Sequence, residues 1–280
     1  MKLNFTKMHG CGNDYVYFNC LEQPIDNPEE LSIRLSDRHF GVGGDGIILI
    51  CPSDSADVKM RIFNADGSEG KMCGNGIRCV GKYVYDHGIV RKPEISIDSL
   101  SGIKLLQMEI EDGVAVGATV NMGQAILTPS EIPTKFTGER AVAVPLYANG
   151  QEHRVTCVSM GNPHCVVFVD EDVETLDLPA IGPSFENHEM FPERINTEFI
   201  RVIDDHTLQM RVWERGSGET WACGTGACAA AVAAVLNGYC PKGEDITIHL
   251  RGGDLTICYT DEAVFLSGSA TTVFEGSVEA

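Results

Sequence analysis

Two cysteines occupy matching places in two similar stretches of the chain. Residues 72–78 read MCGNGIR and residues 222–228 read ACGTGAC. In both stretches the cysteine precedes a run that is predicted to be helical. A cysteine just ahead of a helix lies beside N–H groups without intrahelical partners and near the positive end of the helix macrodipole. We therefore expect Cys73 and Cys223 to be reactive thiols, with a pKa below the ordinary value of about 8.5.

The glycines after each cysteine suit a binding site for an anion. Gly74 and Gly76, like Gly224 and Gly226, leave the backbone open to close approach by a ligand. The N–H groups of the same turn would receive a carboxylate. Each stretch thus offers a thiol beside a carboxylate site. If both served one substrate, a thiolate would remove a proton from carbon while the other thiol protonated the opposite face.

The similarity between the two stretches extends along the chain. Cys223 follows Cys73 by 223 − 73 = 150 positions, and the same offset relates Glu219 to Glu69. Each cysteine follows a strand-like run, and each helix ends before a glycine, which is a common stop signal. The sequence therefore predicts a duplicated unit and two domains. The strands predicted after the two helices span residues 94–99, 103–110 and 114–121, and residues 245–250, 255–259 and 263–267.

The second helix indicates how each unit is packed. Residues 226–236 read GACAAAVAAVL and present no polar face. A helix that is apolar all round is buried all round, and its small side chains let strands approach closely. We expect a duplicated α/β unit in which strands wrap one central helix.

The N-terminal region adds a polar loop and a glycine run. Residues 3–5 and 15–18 are predicted as short strands around a polar loop at residues 8–14, which exposes Asn13. Capping and proline signals at residues 27–30 predict a helix that runs to about residue 38. Residues 41–46 read GVGGDG and match a dinucleotide-binding fingerprint. They follow a helix and precede a strand, which is the wrong order for that fingerprint, so a tight connection is favoured.

Composition argues against several classes of protein. The 280 residues include 21 Lys and Arg against 40 Asp and Glu, a formal net charge of −19. That charge repels nucleic-acid backbones, so no nucleic-acid partner is expected. No apolar run approaches the roughly 20 residues that span a bilayer, and the first residues lack a secretory pattern. The odd count of eleven cysteines disfavours a full disulfide framework. We expect a cytoplasmic protein with reduced thiols and no membrane partner.

Three candidate residues also have an ordinary structural interpretation. His164 is either a buried hydrogen-bonding histidine or part of a site. Glu214 and Arg215 are either a surface ion pair or, since they end the strand before Cys223, part of a site. A zinc site is disfavoured because Cys73 and Cys79 are too far apart for a zinc knuckle and no CxxC occurs. No metal is expected.

Six motifs occur in order along the chain: MHGCGND at residues 8–14, FNADGS at 63–68, CGNG at 73–76, GNPHC at 161–165, ERG at 214–216 and ACGTGAC at 222–228. Together they resemble the motifs of diaminopimelate epimerases. The resemblance spans essentially the whole chain. It implies a pyridoxal-phosphate-independent isomerase, without a cofactor, that interconverts LL- and meso-2,6-diaminopimelate for lysine and peptidoglycan synthesis. The implied fold is mixed α+β: two pseudo-symmetric duplicated domains, each a mostly antiparallel curved sheet around a central helix.

When the family's residue roles are transferred to matching positions, the resemblance implies that Cys73 and Cys223 are the acid and base of a two-base mechanism. The remaining candidates would bind the small-molecule substrate, and His164 is included with them. Gly74, Asn75, Gly224 and Thr225 would hold the reacting carboxylate. The rest of the substrate would contact Asn13, Asn64, Asn162, His164, Asn196, Glu214 and Arg215.

The resemblance also implies how the chain is divided. Residues 1–118 with 269–280 would form the N-terminal domain and residues 119–268 the C-terminal domain, with the active site in the cleft between them. Some family members carry glutamine where Gly46 stands here, which leaves one substrate contact open. A homodimer is an expectation that the sequence does not decide. The alternatives are a proline racemase-like enzyme with two cysteines and a thiol redox or metal-binding module.

Overall fold

A computed structural model describes residues 2–279 of the chain. The chain folds into two compact units. Unit 1 comprises the residues up to Asn121 together with those from Ser267 onward, and unit 2 comprises Met122–Leu266. Within the described residues, no helix is both long enough and apolar enough to cross a membrane.

The elements of unit 1 precede those of unit 2, except for the last strand. In chain order they are β1 (Lys2–Gly10), β2 (Asn13–Asn19), α1 (Pro28–Ser36), β3 (Gly46–Cys51), β4 (Val58–Asn64), β5 (Glu69–Gly70), α2 (Gly74–Asp86), β6 (Glu94–Asp98), β7 (Lys104–Glu111) and β8 (Val114–Asn121).

Unit 2 continues with β9 (Val144–Ala148), β10 (Gln151–Ser159), β11 (Pro163–Phe168), a short 3-10 helix (Val173–Thr175), α3 (Leu178–Glu186), β12 (Asn196–Asp204), β13 (Thr207–Glu214), β14 (Gly218–Thr220), α4 (Gly224–Leu236), β15 (Asp245–Leu250) and β16 (Gly253–Tyr259). The chain returns to unit 1 within β17 (Val264–Ser269), and β18 (Thr271–Glu279) follows.

The two units repeat one pattern of strand pairing. In unit 1, β1 pairs with β2 antiparallel, β2 with β3 parallel, β3 with β4 antiparallel and β4 with β6 parallel. In unit 2 the same alternation joins β10, β11, β12, β13 and β15. Each unit also has an outer antiparallel strand: β18 pairs with β1 in unit 1, and β9 pairs with β10 in unit 2. The predicted mixed α+β fold of duplicated, mostly antiparallel units is confirmed.

Each unit is built around the helix that follows its cysteine. Helix α2 packs against β1, β2, β6, β7 and β8, and α4 packs against β10, β11, β12, β15 and β16. In α4 the side chains from Ala227 to Ala234 are all 0% exposed, which confirms the prediction of a helix buried all round. Side chains this small let strands lie close on several sides of the helix.

Two predictions near the N-terminus are wrong in detail. The polar stretch at residues 8–14 is not an open loop, because β1 runs to Gly10, β2 begins at Asn13, and Cys11 and Gly12 make the turn with positive φ values of 51° and 75°. Helix α1 ends at Ser36 rather than near residue 38. There Asp37 adopts an extended backbone, and its side chain accepts hydrogen bonds from the N–H groups of His39 and Phe40.

The close packing of α4 predicts a strong penalty for added volume. Ala231→Leu inserts a larger side chain at a position with 0% exposure, and overpacking of that kind costs about 1–3 kcal/mol. Urea unfolding should show the loss as a lower midpoint. Ala180→Leu, on the exposed face of α3, should leave the midpoint nearly unchanged, and an A231L midpoint equal to that of the wild type would contradict this packing.

Candidate active site

Cys73 caps the start of α2. Its backbone is extended, with φ −138° and ψ 117°, and its Sγ accepts a hydrogen bond from the N–H of Gly76 at 3.3 Å. Glycine is required at position 76, since a Cβ there would lie 2.5 Å from Cδ1 of Ile48 and 3.5 Å from Sγ. The thiol, which is partly exposed, donates to Oδ1 of Asn13 at 3.2 Å. The predicted position of Cys73 at a helix start is thus what the structure shows.

Asn13 is held in place by a network of charged side chains. Its Nδ2 donates to Oδ2 of Asp45 at 2.7 Å. Arg38 pairs with Asp45 at 3.0 Å and with Asp14 at 2.8 Å, and Lys7 pairs with Asp14 at 2.6 Å. Burial opposes ionisation of Asp14, but hydrogen bonds from Arg38 and Lys7 hold its pKa below the ordinary value. The network fixes which end of the Asn13 amide faces the thiol.

The first turn of α2 is anchored by a buried arginine. The guanidinium of Arg78, which is 0% exposed, donates to the carbonyl of Gly74 at 2.9 Å and to Oδ1 of Asn75 at 2.9 Å. Asn75 Nδ2 in turn lies 3.5 Å from Oδ1 of Asn13. The N–H groups of a first helical turn attract anions, so Arg78 rigidifies the part of the helix that would receive a carboxylate.

Gly46 and Asn64 lie side by side on adjacent strands. A Cβ at position 46 would lie 2.0 Å from the carbonyl oxygen of Phe63 and 3.0 Å from Cε1 of Tyr15. This backbone therefore has no room for the glutamine that the resemblance leads one to look for. Asn64 instead donates from Nδ2 to Oγ of Ser68 at 3.0 Å.

Cys223 caps the start of α4 in the same way. Its backbone is extended, with φ −122° and ψ 106°, and its Sγ accepts from the N–H of Gly226 at 3.3 Å. A Cβ at position 226 would lie 2.7 Å from Oε1 of Glu198 and 3.2 Å from Sγ. The sulfur also lies 3.5 Å from Oγ1 of Thr225. Cys223 is only 6% exposed, so the two cysteines have the same backbone setting but different access to solvent.

The prediction that both thiols have a lowered pKa is wrong for Cys223. Burial raises the pKa of this thiol well above its ordinary value, and the carboxylates of Glu214 and Glu198 raise it further. Hydrogen bonds from Thr225 and from the N–H of Gly226 act in the opposite direction but do not offset these effects. The helix start does favour the thiolate, as the sequence suggested, yet desolvation is larger.

His164 is part of a buried group beneath α4. The ring is 0% exposed, with Nδ1 2.7 Å from Oε1 of Glu198 and Nε2 3.1 Å from Oδ1 of Asn162. Asn162 Nδ2 donates to Oγ1 of Thr225 at 3.3 Å. The structure shows the buried hydrogen-bonding histidine and connects it to the neighbours of Cys223, while its role in a site stays a prediction.

The turn after β13 holds the other candidates of unit 2. Asn196 Nδ2 donates to the carbonyl of Pro163 at 2.9 Å, and its Oδ1 accepts from the N–H of Arg215 at 2.9 Å. The side chain of Arg215 donates to the carbonyl of Glu193 at 3.1 Å. Glu214 bonds to Thr220, and burial raises its pKa above the ordinary value. Glu214 and Arg215 thus point to different partners and are not an ion pair with each other.

The structure places the predicted residues in two clusters, one in each unit. Those of unit 1, here called the Cys73 cluster, and those of unit 2, the Cys223 cluster, are described separately. The Cys73 cluster comprises Asn13, Asn64, Cys73, Gly74 and Asn75, and the Cys223 cluster comprises Asn162, His164, Asn196, Glu214, Arg215, Cys223, Gly224 and Thr225.

Four supporting residues were missed by the sequence analysis. Asp45 lies in the glycine run at residues 41–46, and Arg78 ends the first cysteine motif. The sequence therefore contained a signal for both residues. Glu198 directly precedes the apolar residues Phe199 and Ile200, and a charge beside such residues is a signal for a buried group with a partner. Glu186 accepts from the N–H of Gly216 at 2.9 Å and gave no signal in the sequence.

Metal binding finds no support in the side-chain geometry. Among residues 2–279, no group of three or more His, Cys, Asp or Glu side chains is arranged so that it could hold a metal ion.

Comparison with known proteins decides the family. The family described as diaminopimelate epimerase matches residues 5–128 and 156–273. A diaminopimelate epimerase of Agathobacter rectalis is 54% identical, with 99% of each chain covered, and one of Desulfovibrio desulfuricans is 55% identical over 98% of this chain and 97% of its own. The chain belongs to the diaminopimelate epimerase family.

A further relative comes from a third organism, and the fold also occurs in proteins of low sequence identity. A diaminopimelate epimerase of Methanococcus maripaludis is 52% identical over 99% of this chain and all of its own. A PhzF-family phenazine biosynthesis protein of Bacillus anthracis superposes with a TM-score of 0.70 at 13% identity, covering all of both chains. A probable proline racemase of Agrobacterium radiobacter gives 0.66 at 14% identity, covering 99% of this chain and 93% of its own. At these identities the two structures establish a shared fold only.

The raised pKa of Cys223 predicts how this thiol reacts. Its alkylation by iodoacetamide should be slow at neutral pH and accelerate as the pH rises, because the thiolate is the nucleophile. Glu214→Gln removes a nearby negative charge, which lowers the pKa of Cys223, so alkylation at a fixed neutral pH should become faster. Mass spectrometry of the peptide that contains Cys223 measures the rate.

Glu219→Gln is the matched control for this measurement. Glu219 also lies just before Cys223 in the chain, but its charge is compensated by ion pairs with Arg211 and Arg251, each at 2.8 Å. The alkylation rate of Cys223 should be unchanged in this variant. An equal acceleration in E219Q and E214Q would show that loosened packing, rather than charge, controls the rate.

Proposed function

We propose that the protein interconverts LL- and meso-2,6-diaminopimelate by a two-base mechanism, using Cys73 and Cys223 as base and acid. The observation that carries the proposal is the repeated arrangement of a cysteine that caps a helix beside open glycine backbone. Membership in the diaminopimelate epimerase family supports the choice of substrate. The reaction would serve lysine and peptidoglycan precursor synthesis.

The proposed chemistry begins with a thiolate at one cysteine and a thiol at the other. The thiolate takes the α-proton, and the electron pair of the broken C–H bond moves into the adjacent carboxylate. The opposing thiol then delivers its proton to the other face of the carbon, which inverts the centre. Protons are exchanged and nothing is oxidised or reduced. The high pKa of Cys223 favours a thiol there before substrate binds.

Stabilising the carbanion is the difficult part of this reaction. The N–H groups at the starts of α2 and α4 are aligned donors for a carboxylate that gains negative charge. Gly74, Asn75, Gly224 and Thr225 supply those groups. Arg78 rigidifies the first of the two turns through its bonds to Gly74 and Asn75. Donors that are already oriented need no reorganisation when the charge develops.

Recognition of the distal end of the substrate needs groups of both charges. Diaminopimelate carries a second ammonium and a second carboxylate, which Glu214 and Arg215 match in sign. Asn13, Asn64, Asn162 and Asn196 offer amide donors and acceptors for the same groups. For the two cysteines to act on one carbon, we propose that the functional division of the chain is residues 1–118 with 269–280 against residues 119–268, with the substrate bound between these domains.

We also propose that the enzyme works in the cytoplasm. Both proposed catalytic cysteines must stay reduced in order to transfer protons, and the cytoplasm keeps thiols reduced. Cell fractionation, with the enzyme followed by its activity, tests the location.

Solvent exchange tests the reaction directly. Diaminopimelate incubated with the protein in deuterium oxide should gain deuterium at one α-carbon while LL and meso isomers interconvert. Cys73→Ser and Cys223→Ser should each lower epimerisation by about 100-fold or more, because a poor acid or base replaces a thiol. Mass spectrometry and chiral chromatography measure the two outcomes.

Matched variants keep this test specific. Cys79→Ser and Cys228→Ser alter cysteines that are fully buried inside α2 and α4, so any loss of activity in them should accompany a loss of thermal stability. Retention of near wild-type epimerisation in C73S or C223S would rule out the two-base assignment. Exchange into proline but not diaminopimelate would favour the racemase-like alternative.

We propose that the protein forms a homodimer through β18. Val273 and Phe274 are 54% and 46% exposed on this strand, and Phe274 makes an edge contact with Phe5 at 5.9 Å between ring centroids. Neighbouring exposed apolar side chains on a strand are suited to pairing with another chain. Light scattering after gel filtration should give twice the mass of one chain.

A charged residue on β18 should separate the dimer. Phe274→Glu is expected to shift the mass to that of a monomer. Leu100→Glu, an equally drastic change at a 55% exposed position in a turn, should leave the dimer intact. A monomeric wild type, or a dimeric F274E, would be incompatible with a contact at this strand.

A further inference from the structure

A buried carboxylate lies beneath the Cys223 cluster. Glu198, on β12, is 0% exposed, and its Oε1 is 2.7 Å from Nδ1 of His164. Its second oxygen, Oε2, has no hydrogen-bond partner within residues 2–279. A buried ionised carboxylate is costly unless a positive group compensates it. The imidazole of His164 is the group in contact with it.

From this carboxylate a continuous chain of polar contacts leads to the Cys223 sulfur. His164 Nε2 is 3.1 Å from Oδ1 of Asn162, and Asn162 Nδ2 is 3.3 Å from Oγ1 of Thr225. Thr225 Oγ1 is 3.5 Å from the sulfur. The charge of Glu198 also acts on Cys223 through space and raises its pKa, whereas its hydrogen bonding reaches the sulfur through this series of contacts.

The directions of the hydrogen bonds along the chain are linked. Each ring nitrogen of His164 faces an oxygen, so each must carry a hydrogen in order to donate. The Asn162 amide accepts from the ring on its oxygen side and donates to Thr225 on its nitrogen side. The hydroxyl hydrogen of Thr225 is then left to point at the sulfur, where it stabilises a thiolate.

Unit 1 has the same backbone arrangement but has no charged residue at the position equivalent to Glu198. In β3, Ile48 pairs with Ile62 and Tyr17, just as Glu198 pairs with Val212 and Val166 in β12. Ile48 also lies against the glycine of its helix start, as Glu198 does against Gly226. The two positions are equivalent, and only that of unit 2 is charged.

We propose that Glu198 is a positioning residue that, through His164, orients Asn162 and Thr225 so that the Thr225 hydroxyl donates to Cys223. It makes the two cysteine clusters chemically unequal although their backbones are alike. The inference rests on the proposed function, in which Cys223 must hold a proton at one stage and a negative charge at another. The hydroxyl bond makes the charged stage accessible at a buried sulfur.

Removing the charge of Glu198 reverses the direction of the hydrogen bonds that lead from His164 to Cys223. In Glu198→Gln the side chain keeps its shape, but no negative charge compensates a doubly protonated ring. With one hydrogen on the ring, Nε2 becomes an acceptor and the Asn162 amide turns to donate to it. Thr225 then donates to Asn162 and can only accept from the Cys223 thiol.

Nitrogen NMR of the histidine rings tests the proposal without substrate. In the wild type both ring nitrogens of His164 should have the shifts of protonated nitrogens, with the signal assigned by its absence in His164→Gln. In E198Q one of the two should move to the unprotonated range. A wild-type ring with only one protonated nitrogen, or an identical ring in E198Q, would overturn the proposal. The wild-type measurement stands even if the variant does not fold.

Turnover supplies the second readout. In E198Q, kcat should fall about tenfold with a smaller change in KM, since one hydrogen bond to the sulfur is misdirected. Glu219→Gln, which removes another ion-paired carboxylate of unit 2, should leave kcat unchanged. A folded E198Q with wild-type kcat would refute the positioning role.

The two proposals fail in distinguishable ways. If the wild type exchanges no deuterium into diaminopimelate, the proposed function is wrong, whereas the NMR result still reports on the hydrogen-bond chain. If exchange occurs and the ring is unaffected by E198Q, the positioning role alone is wrong.

Discussion

The close approach of a cysteine sulfur to the first turn of a buried helix governs both units. Sγ accepts from the N–H three residues later in each, at 3.3 Å. That contact demands glycine at positions 76 and 226, where a Cβ would meet atoms of the sheet at 2.5 and 2.7 Å. It also demands that the helix be surrounded by strands, which is why α4 consists almost entirely of small residues. The position of the sulfur, the start of the helix and the packing of the strands around it therefore depend on one another.

The same backbone carries different electrostatics in the two units. The close neighbours of Cys73 include the amide of Asn13 and the phenol of Tyr15, and the charges of Asp45, Arg38 and Asp14 lie behind Asn13. Around Cys223, burial and two carboxylates raise the thiol pKa. A reaction that inverts a carbon needs one group charged and the other neutral at any moment. The duplicated backbone places both thiols in the same way, and different side chains around them make their protonation behaviour unequal.

The sequence predicted the framework better than the environment of the thiols. The repeat offset, the glycines and the apolar helix identified α2, α4 and the duplicated fold, because periodicity and turn chemistry are local properties. The pKa of Cys223 is raised by desolvation, by Glu214 and by Glu198, and the last of these reaches the sulfur's surroundings from a different strand. Such a contact arises only from strand register. The extent of β1 and β2 around residues 8–14 was missed for the same reason, since pairing overrode a polar, glycine-rich composition.

Strand register also explains why Glu198 can matter without touching the thiol. Its neighbours across the sheet, Val166 and Val212, are apolar, so the carboxylate has no solvent or charged partner on those sides. Its hydrogen bonding is directed to His164, while its negative charge raises the pKa of Cys223 through space. In unit 1 the apolar Ile48 at the equivalent position leaves Tyr15 as the ring beside Cys73, with a pKa raised by burial and by that cysteine. A phenol beside one sulfur and a carboxylate with its histidine near the other give the two thiols unlike surroundings, as a pair of unlike protonation states requires.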